Sequence, residues 1–438
     1  MFNLPKYGQG VCLARMAVLL ELLGIDRARL QQRSIAVTGS NGKGSTSAFC
    51  ASIGRAFGLR TGLFTSPHLF RVNERFQVGG VPIADELLRQ LATRVETAIA
   101  AISKQRGEQF GAFEAMFALA CLYFQESDCE LMVFEAGIGG RYDPVRLLGS
   151  HFTTVTSIDY EHVELLGNSL ELIVSDKSDA CASPGTVLYG ENCRPLRSHI
   201  VEYVSSRRIE SLFVRDEIGI SDETLAANGQ RFDFSFRGSD FRALEVALPG
   251  SFQINNAAIA AGLFLCWLER ARPGEPAVRI EAAVRDGLRE VRWPGRLEAI
   301  AQDPLTVIDV GHTPDGIRRS LASLRRIYGE RDWVLVAGVS FDKKAEEIAA
   351  ALAPAFDTII CTAAHHKGGD PAALASAIHK INPHARIEIA ATIEQAFRTS
   401  HALARALNRR LYVAGGLFTA IEFAAVARGW DAEKLSFF

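Results

Sequence analysis

One stretch, Ser34-Ile-Ala-Val-Thr-Gly-Ser-Asn-Gly-Lys-Gly-Ser-Thr46, constrains the fold of this chain more than any other. Ile35 to Val37 is a short apolar run of β type. Gly39 to Gly44 carries three glycines and one lysine. Ser45 to Gly58 reads as a helix, with Phe49, Ile53 and Phe57 at i, i+4 and i+8. Strand, glycine loop with lysine, then helix is the layout that cradles phosphates. Glycines let backbone N–H groups approach the oxygens, and a helix N-terminus adds positive potential. The candidate contacts are Gly39, Asn41, Gly42, Lys43, Gly44, Ser45 and Thr46. Lys43 would reach the terminal phosphates, and the Ser45 or Thr46 hydroxyl would serve Mg²⁺. The spacing departs from G-x-x-x-x-G-K-[ST], which needs Gly at 37 and Ser or Thr at 44, where Val37 and Gly44 stand. An ordinary glycine-rich βα turn has the same composition, so the stretch alone keeps both readings.

A chain of 438 residues exceeds the size at which one core keeps growing, so two domains are expected. Composition is that of a globular protein, and a net charge of −2 points to neither a nucleic-acid surface nor a membrane surface. The eight cysteines are scattered without a C-x-x-C pair, as reduced thiols of a cytoplasmic protein would be. The first residues lack the basic and apolar regions of a signal peptide, and no apolar run has the length of a membrane span.

Along the chain, Val11 to Leu23 reads as an amphipathic helix ending at Gly24. After the glycine loop and its helix, Arg60 to Phe64 is a second strand. The loop Thr65 to Arg75 is dense in Ser, His, Arg, Asn and Glu for a plain connector. Asp85 to Ser103 and Ala112 to Phe124 read as helices. Glu130 to Glu135 is a buried parallel-type strand with an acid at its carboxyl end, where α/β sheets place ligands. Ala136 to Asp143 follows at once, as a second active-site loop or a tight turn with a surface ion pair. Phe152 to Ile158 is another strand with Asp159 to His162 at its tip, and Leu170 to Cys181 is a helix bearing Lys177. From Ile209 to Leu248, the segments starting at Ser211, Arg231 and Phe241 alternate apolar and polar residues, which predicts a small antiparallel sheet. Phe252 to Leu268 is an Ala-rich helix with Gln253, Asn255 and Asn256 near its start. Val291 to Arg296 reads as a boundary dividing 1–296 from 297–438. Beyond it five strands alternate with helices: Thr306 to Val310, Trp333 to Val339, Thr358 to Ala363, Arg386 to Ile389 and Leu411 to Ala414. The expected class is α/β: a P-loop-type parallel-sheet ATPase domain with a small antiparallel sheet, then a C-terminal Rossmann-like domain.

These segments together resemble the folylpolyglutamate synthase/dihydrofolate synthase family, within the Mur ligase superfamily. The resemblance rests on Val37 to Ser45, Thr65-Ser-Pro-His-Leu69 with Arg71 to Arg75, Phe134 to Asp143, and Asp159 to His162 followed by Lys177. It continues with Gln253 and Asn256, Pro294-Gly-Arg296, Asp309-Val-Gly-His312 with Pro314, and Ala414-Gly-Gly-Leu417. It implies ATP-dependent amide formation: a substrate carboxylate attacks the γ-phosphate, and the amine of an incoming glutamate displaces phosphate from the acyl phosphate. Phosphoryl transfer needs a phosphate cradle, Mg²⁺ and cationic side chains, with little covalent work by the protein.

Carried over by position, Lys43, Gly44 and Ser45 hold the β- and γ-phosphates. Ser66, Glu135 and His162 resemble the magnesium ligands, beside Ser45. Lys177 matches a lysine that the family carbamylates into a carboxylate-like ligand; otherwise it reads as a helix-surface lysine. Gln253 and Asn256 match adenine-side contacts. Arg296 matches an arginine that reaches the terminal phosphate across the cleft, and Asp309 an acid on the ribose, with His312 beside it. The implied partners are a small carboxylate acceptor and glutamate, and the family resemblance implies a monomer.

The sequence departs from the family at Asp143-Pro-Val-Arg146, Gly311-His-Thr-Pro314, Asp342-Lys-Lys344 and Gly415-Gly416, where the family reads Asp-Ala-Thr-Asn, Ala-His-Asn-Pro, Asp-Lys-Asp and Gly-Ser. These departures are expected to gather where acceptor and amino acid bind. Two alternatives therefore stand beside the folate-type ligase: the same chemistry on another acceptor, and a catalytically silent nucleotide-binding regulator. A P-loop hydrolase or motor fits the loop spacing and the Lys177 context less well.

Overall fold

Every residue of Ser34–Thr38 (β1) is buried, so this strand can only lie inside a sheet. The computed structural model describes residues 4, 10, 13–226, 229–330 and 332–437. The first domain continues with β2 (Thr61–Phe64), the hairpin β3 (Phe76–Val78) and β4 (Val81–Pro82), β5 (Leu131–Glu135), β6 (Phe152–Val155), β7 (Gly185–Tyr189) and β8 (Ile209–Phe213). They form one eight-stranded sheet in the order β4-β3-β2-β5-β1-β6-β7-β8. Only β3 runs against the others, antiparallel to β2 on one side and to β4 on the other. The chain leaves β1 toward β2 on one side and leaves β6 toward β7 on the other. The adjoining carboxyl ends of β1 and β6 therefore open a crevice where the winding reverses, the usual ligand position in such sheets.

Helices cover both faces. Lys43–Ala56, Phe252–Ala271 and Ala277–Glu290 pack on one side, with Phe49, Ile53, Phe57 and Phe264 in their shared core. On the other, Ala112–Glu126 is buried along most of its length and sets Phe117 against Phe64 and Phe134. Leu13–Leu22 docks beside it through Arg15, whose Nε and Nη2 donate to the two carboxylate oxygens of Glu114, each at 3.0 Å. Positions 11 and 12 of the expected first helix lie outside the described residues.

The separate antiparallel sheet comprises β9 (Gly219–Ala226), β10 (Gly229–Phe236) and β11 (Ser239–Val246). Phe232, Phe234 and Phe236 all point inward from β10 and join the first domain's core, as period-two patterning requires. One expectation is corrected here. Ser211 to Val214 was assigned to this sheet; instead β8 pairs in parallel with β7 at the edge of the large sheet. The reason is that Leu212 and Phe213 enter cores on opposite faces while Glu210 stays exposed at the sheet edge, so the local mix of polar and apolar residues does not report strand direction. The strand that completes the small sheet, β9, is largely exposed and carries little apolar signal.

The second domain has six strands: β12 (Glu298–Gln302), β13 (Leu305–Ile308), β14 (Trp333–Ala337), β15 (Thr358–Thr362), β16 (Arg386–Ala390) and β17 (Arg410–Ala414), in the order β12-β13-β17-β14-β15-β16. Five run parallel, and β12 adds an antiparallel edge to β13. The seven described cysteines are all unpaired and buried. Among the described residues no helix is long and apolar enough to cross a membrane.

Phe64 touches four other phenylalanine rings, those of Phe76, Phe113, Phe117 and Phe134, beneath the strand tips. Phe64→Ala is expected to destabilise the protein by about 3–5 kcal/mol, the range for deleting a buried Phe ring. A denaturant titration checks this; a loss below 1 kcal/mol would contradict it.

Candidate active site

The glycine loop owes its shape to contacts on both sides. Gly39 has φ +135°, and a Cβ there would sit 2.0 Å from Thr156 Oγ1; Gly42 has φ +88°, and its Cβ would meet Asn256 Oδ1 at 2.6 Å. No side chain fits either place. The loop is tied to the end of β6: Asn41 N donates to Ser157 Oγ at 2.8 Å, and the Thr156 hydroxyl donates to Asn41 O at 2.7 Å. Lys43 opens the helix Lys43–Ala56, and its ammonium donates to the carbonyls of Gly39 at 2.8 Å and Ser40 at 3.3 Å. Beneath the loop, Gln253 Nε2 donates to Ser45 Oγ at 3.3 Å, and Asn256 Nδ2 donates to Gln253 Oε1 at 3.0 Å. The Thr46 hydroxyl is buried with no hydrogen-bond partner.

Glu135, the last residue of β5, is 4% exposed and accepts a 2.9 Å hydrogen bond from Ser66 N. Burial pushes its carboxyl up to about 7, against the opposing pull of Lys43, Arg296 and Arg75. Asp143 is also buried and pushed up to about 6, although it accepts from the backbone N–H groups of Gly137, Ile138 and Val145. It is thus the internal anchor of the loop after β5, not half of a surface ion pair.

Lys177 is 1% exposed, which overturns the helix-surface reading. Its Nζ donates to Glu161 Oε1 at 2.6 Å. Burial lowers the lysine's pKa, with Glu161 pulling the other way. Burial would raise Glu161 too, yet Lys43 and Lys177 outweigh it and hold this carboxyl at about 2. Glu161 was missed in the sequence. Its signal was present: an acid beside His162 at the third strand tip. His162 itself has φ +43° and precedes the helical turn Val163–Leu166.

The domain junction at Arg296 and the second domain close the far side. Arg296 lies within electrostatic reach of Glu135 and Asp309. Asp309 accepts from Gly311 N at 2.9 Å, Ser320 Oγ at 3.0 Å and Leu297 N at 3.1 Å. Thr313 caps the helix Pro314–Tyr328 and reaches across to Asn41 Oδ1 at 3.3 Å. A cleft of about 1980 Å³ lies between the domains, lined by Lys43, Ser66, Glu135, His162, Arg296 and His312 among others. Asn41, Gly42, Gly44, Ser45, Asn256 and Asp309 also reach it. Gly39, Thr46, Gln253 and Lys177 do not line it; all are buried behind its wall. Gln253 meets the cleft through Ser45 and Asn256.

Among the described residues no three His, Cys, Asp or Glu side chains are grouped to hold a metal ion. The donors lining the cleft are mainly oxygens, the Ser45 and Ser66 hydroxyls and the Glu135 and Glu161 carboxylates, with the His162 imidazole beside them. That chemistry suits Mg²⁺, which keeps several waters and shares substrate phosphates instead of filling an all-protein cage. The departures from the family pattern do not all gather in the cleft. Arg146 Nη1 donates to Arg141 O at 2.9 Å, and Lys344 pairs with Glu347 at 3.0 Å on the surface.

The Mur ligase, glutamate ligase domain family matches residues 295–416. The folylpolyglutamate synthase of Lacticaseibacillus casei is 31% identical over 347 residues, 79% of each chain. The dihydrofolate synthase/folylpolyglutamate synthase of Bacillus subtilis is 29% identical over 340 residues, 77% of each. The Mycobacterium tuberculosis folylpolyglutamate synthase complexed with ADP and AMPPCP superposes with a TM-score of 0.86 at 26% identity, covering 96% of each chain.

Because the folded protein holds Glu135 near 7 and an unfolded chain near 4.5, the folded state binds more protons between those values. Glu135 therefore costs stability as pH rises through that window. Glu135→Gln, melted without ligand and with chelator, is expected to gain in Tm over the parent at pH 8 and to lose that gain by pH 4.5. An equal difference at both pH values would contradict the assignment.

Proposed function

The chain belongs to the folylpolyglutamate synthase/dihydrofolate synthase family and is an ATP-dependent ligase; from that premise we propose that it joins glutamate to a folate-type carboxylate through an acyl phosphate. One observation carries this reading: the Lys43 loop and Glu135 face Arg296, at the junction of the two domains, across a single cleft. A γ-phosphoryl group held there would meet cations from both sides, as transfer to a carboxylate requires.

The roles follow from position. Backbone N–H groups of Gly42, Lys43, Gly44 and Ser45 and the Lys43 ammonium would hold the β- and γ-phosphates, with Lys43 leaving its loop carbonyls to do so. Ser45, Ser66, Glu135, His162 and a carbamylated Lys177 would hold Mg²⁺; bound, the ion neutralises phosphate charge and polarises the group being transferred. Gln253 would fix the Ser45 hydroxyl, while Asn256 would face the nucleotide. Asp309 would turn toward the ribose, with His312 beside it at the cleft wall. Arg296 would stabilise charge on the γ-phosphoryl oxygens as the acceptor carboxylate oxygen bonds to phosphorus and the bond to ADP breaks. The glutamate amine would then attack the acyl carbon, expel phosphate and lose a proton. Closure of the two domains would keep water from the acyl phosphate. The same reading takes the protein as a cytoplasmic monomer divided after Arg296.

Purified protein with ATP, Mg²⁺, glutamate and a panel of acceptors is expected to release phosphate only with a pteroate or folate carboxylate, giving a product heavier by one glutamyl unit. Tight ATP binding without turnover on any acceptor would overturn the proposal. Lys177→Ala is expected to lower turnover by about 10²-fold or more, the scale of removing one electrostatic element of the site, while ATP binding stays largely intact. Full activity in that variant would remove the carbamate from the reading.

A further inference from the structure

The last described residues cross from the second domain to the first. Phe437 is 1% exposed and sits among three rings: Phe418 at 4.8 Å, His366 at 5.0 Å and His68 at 6.2 Å, the last stacked at 6°. Phe418 and His366 belong to the second domain; His68 belongs to the polar loop after β2. Aromatic groups at these separations attract beyond simple burial.

The backbone engages as well. Arg75 Nε donates to His68 Nδ1 at 2.8 Å, so that nitrogen is the acceptor. His68 Nε2 therefore carries the proton and donates to Ser436 O at 2.6 Å. Arg75 Nη2 donates to Phe437 O at 3.2 Å. His68 and Arg75 are each 3% exposed, so both are committed to these partners and neither is a solvated side chain. Farther along the loop, Phe70 packs edge-on against Trp430 at 5.3 Å, and Arg428 lies over the Phe70 ring at 4.5 Å. Glu74 then accepts from the N–H groups of Leu69, Phe70 and Arg71, which makes the loop one stiff unit. That unit begins at Ser66, whose N–H is the hydrogen-bond donor to Glu135.

We propose that Ser436 and Phe437 are positioning residues for the reaction: they strap the loop from Ser66 to Arg75 to the second domain and so hold Ser66 against Glu135. Assembly of that edge of the site is thereby coupled to contact between the domains. The effect on turnover rests on the ligase reading above; the effect on the loop does not.

The test uses the full chain without ligand. In Phe437→Ala, the backbone amides of 66–78 are expected to exchange with deuterium about tenfold faster or more, while those of β1, β5 and β14 stay unchanged. With glutamate and a folate-type acceptor, kcat is expected to fall about tenfold or more. The Kd for AMPPCP, which would rest on the Lys43 loop, is expected to stay within about threefold. His68→Phe keeps a ring for the stack but removes the donor to Ser436 O, and is expected to loosen the same amides. Should Phe437→Ala also loosen β14, the His68→Phe result decides, since that change lies in the first domain. Unchanged exchange at 66–78 in both variants would overturn the strap. A parent that turns over no acceptor would instead defeat the ligase reading and leave the exchange result standing.

Discussion

The site depends on β1 having no free edge. It is hydrogen-bonded in parallel to β5 on one side and β6 on the other, with Val37 opposite Glu135 and Thr38 opposite Val155. Parallel strands end on the same side, so the glycine loop, Glu135 and the segment from Thr156 to His162 emerge together. Register is fixed because every residue of β1 and β5 is buried; a one-residue slip would turn each side chain to the wrong face. The chemistry is placed by a packing requirement, before any charge is considered.

Once placed, the acids behave differently according to the cations they face. Asp143 has three backbone donors and a weaker pull from Lys43, and burial wins. Glu135 faces three cations without a direct ion pair, and burial still wins. Glu161 touches Lys177 and feels Lys43, and there the cations win. The cleft thus contains a carboxylate that is fully charged beside one poised to take up or release a proton. A divalent cation arriving at Glu135 would shift that balance toward the ionised form.

Local patterns made half of this legible in the sequence. The strand, glycines and lysine of 34–46, the acid closing β5 and the five parallel strands of the second domain all announce themselves within a few residues of chain. His162 and Lys177 had meaning only through resemblance, since an isolated histidine or helical lysine has no local signature. Gln253 is an adenine-side contact only by resemblance; it is buried and spends its donor on Ser45. The edge strand β8 is not told from an antiparallel one because a mix of polar and apolar residues says nothing of strand direction; its Leu212 and Phe213 are buried on opposite faces. Ser436 is invisible in the same way. Its partner His68 lies 368 positions earlier, and no pattern of spacing spans that distance.

The departures from the family pattern can now be weighed by where their side chains go. Asp143 keeps its anchoring role despite the altered residues that follow it, because three backbone N–H groups still converge on it. Arg146 turns back to a carbonyl of its own loop, and Lys344 pairs along its own helix, so neither reads a substrate. Gly416 leaves room where the family has serine: the nearest atom to an added Cβ is Gly338 O at 3.5 Å. What reaches the cleft from this loop is Tyr142, itself 55% exposed, together with the altered Pro144. Acceptor preference that differs from the relatives would therefore come from the shape and stacking surface of that wall. The charges of Arg146 and Lys344, two of the altered positions, are spent within their own loop and helix.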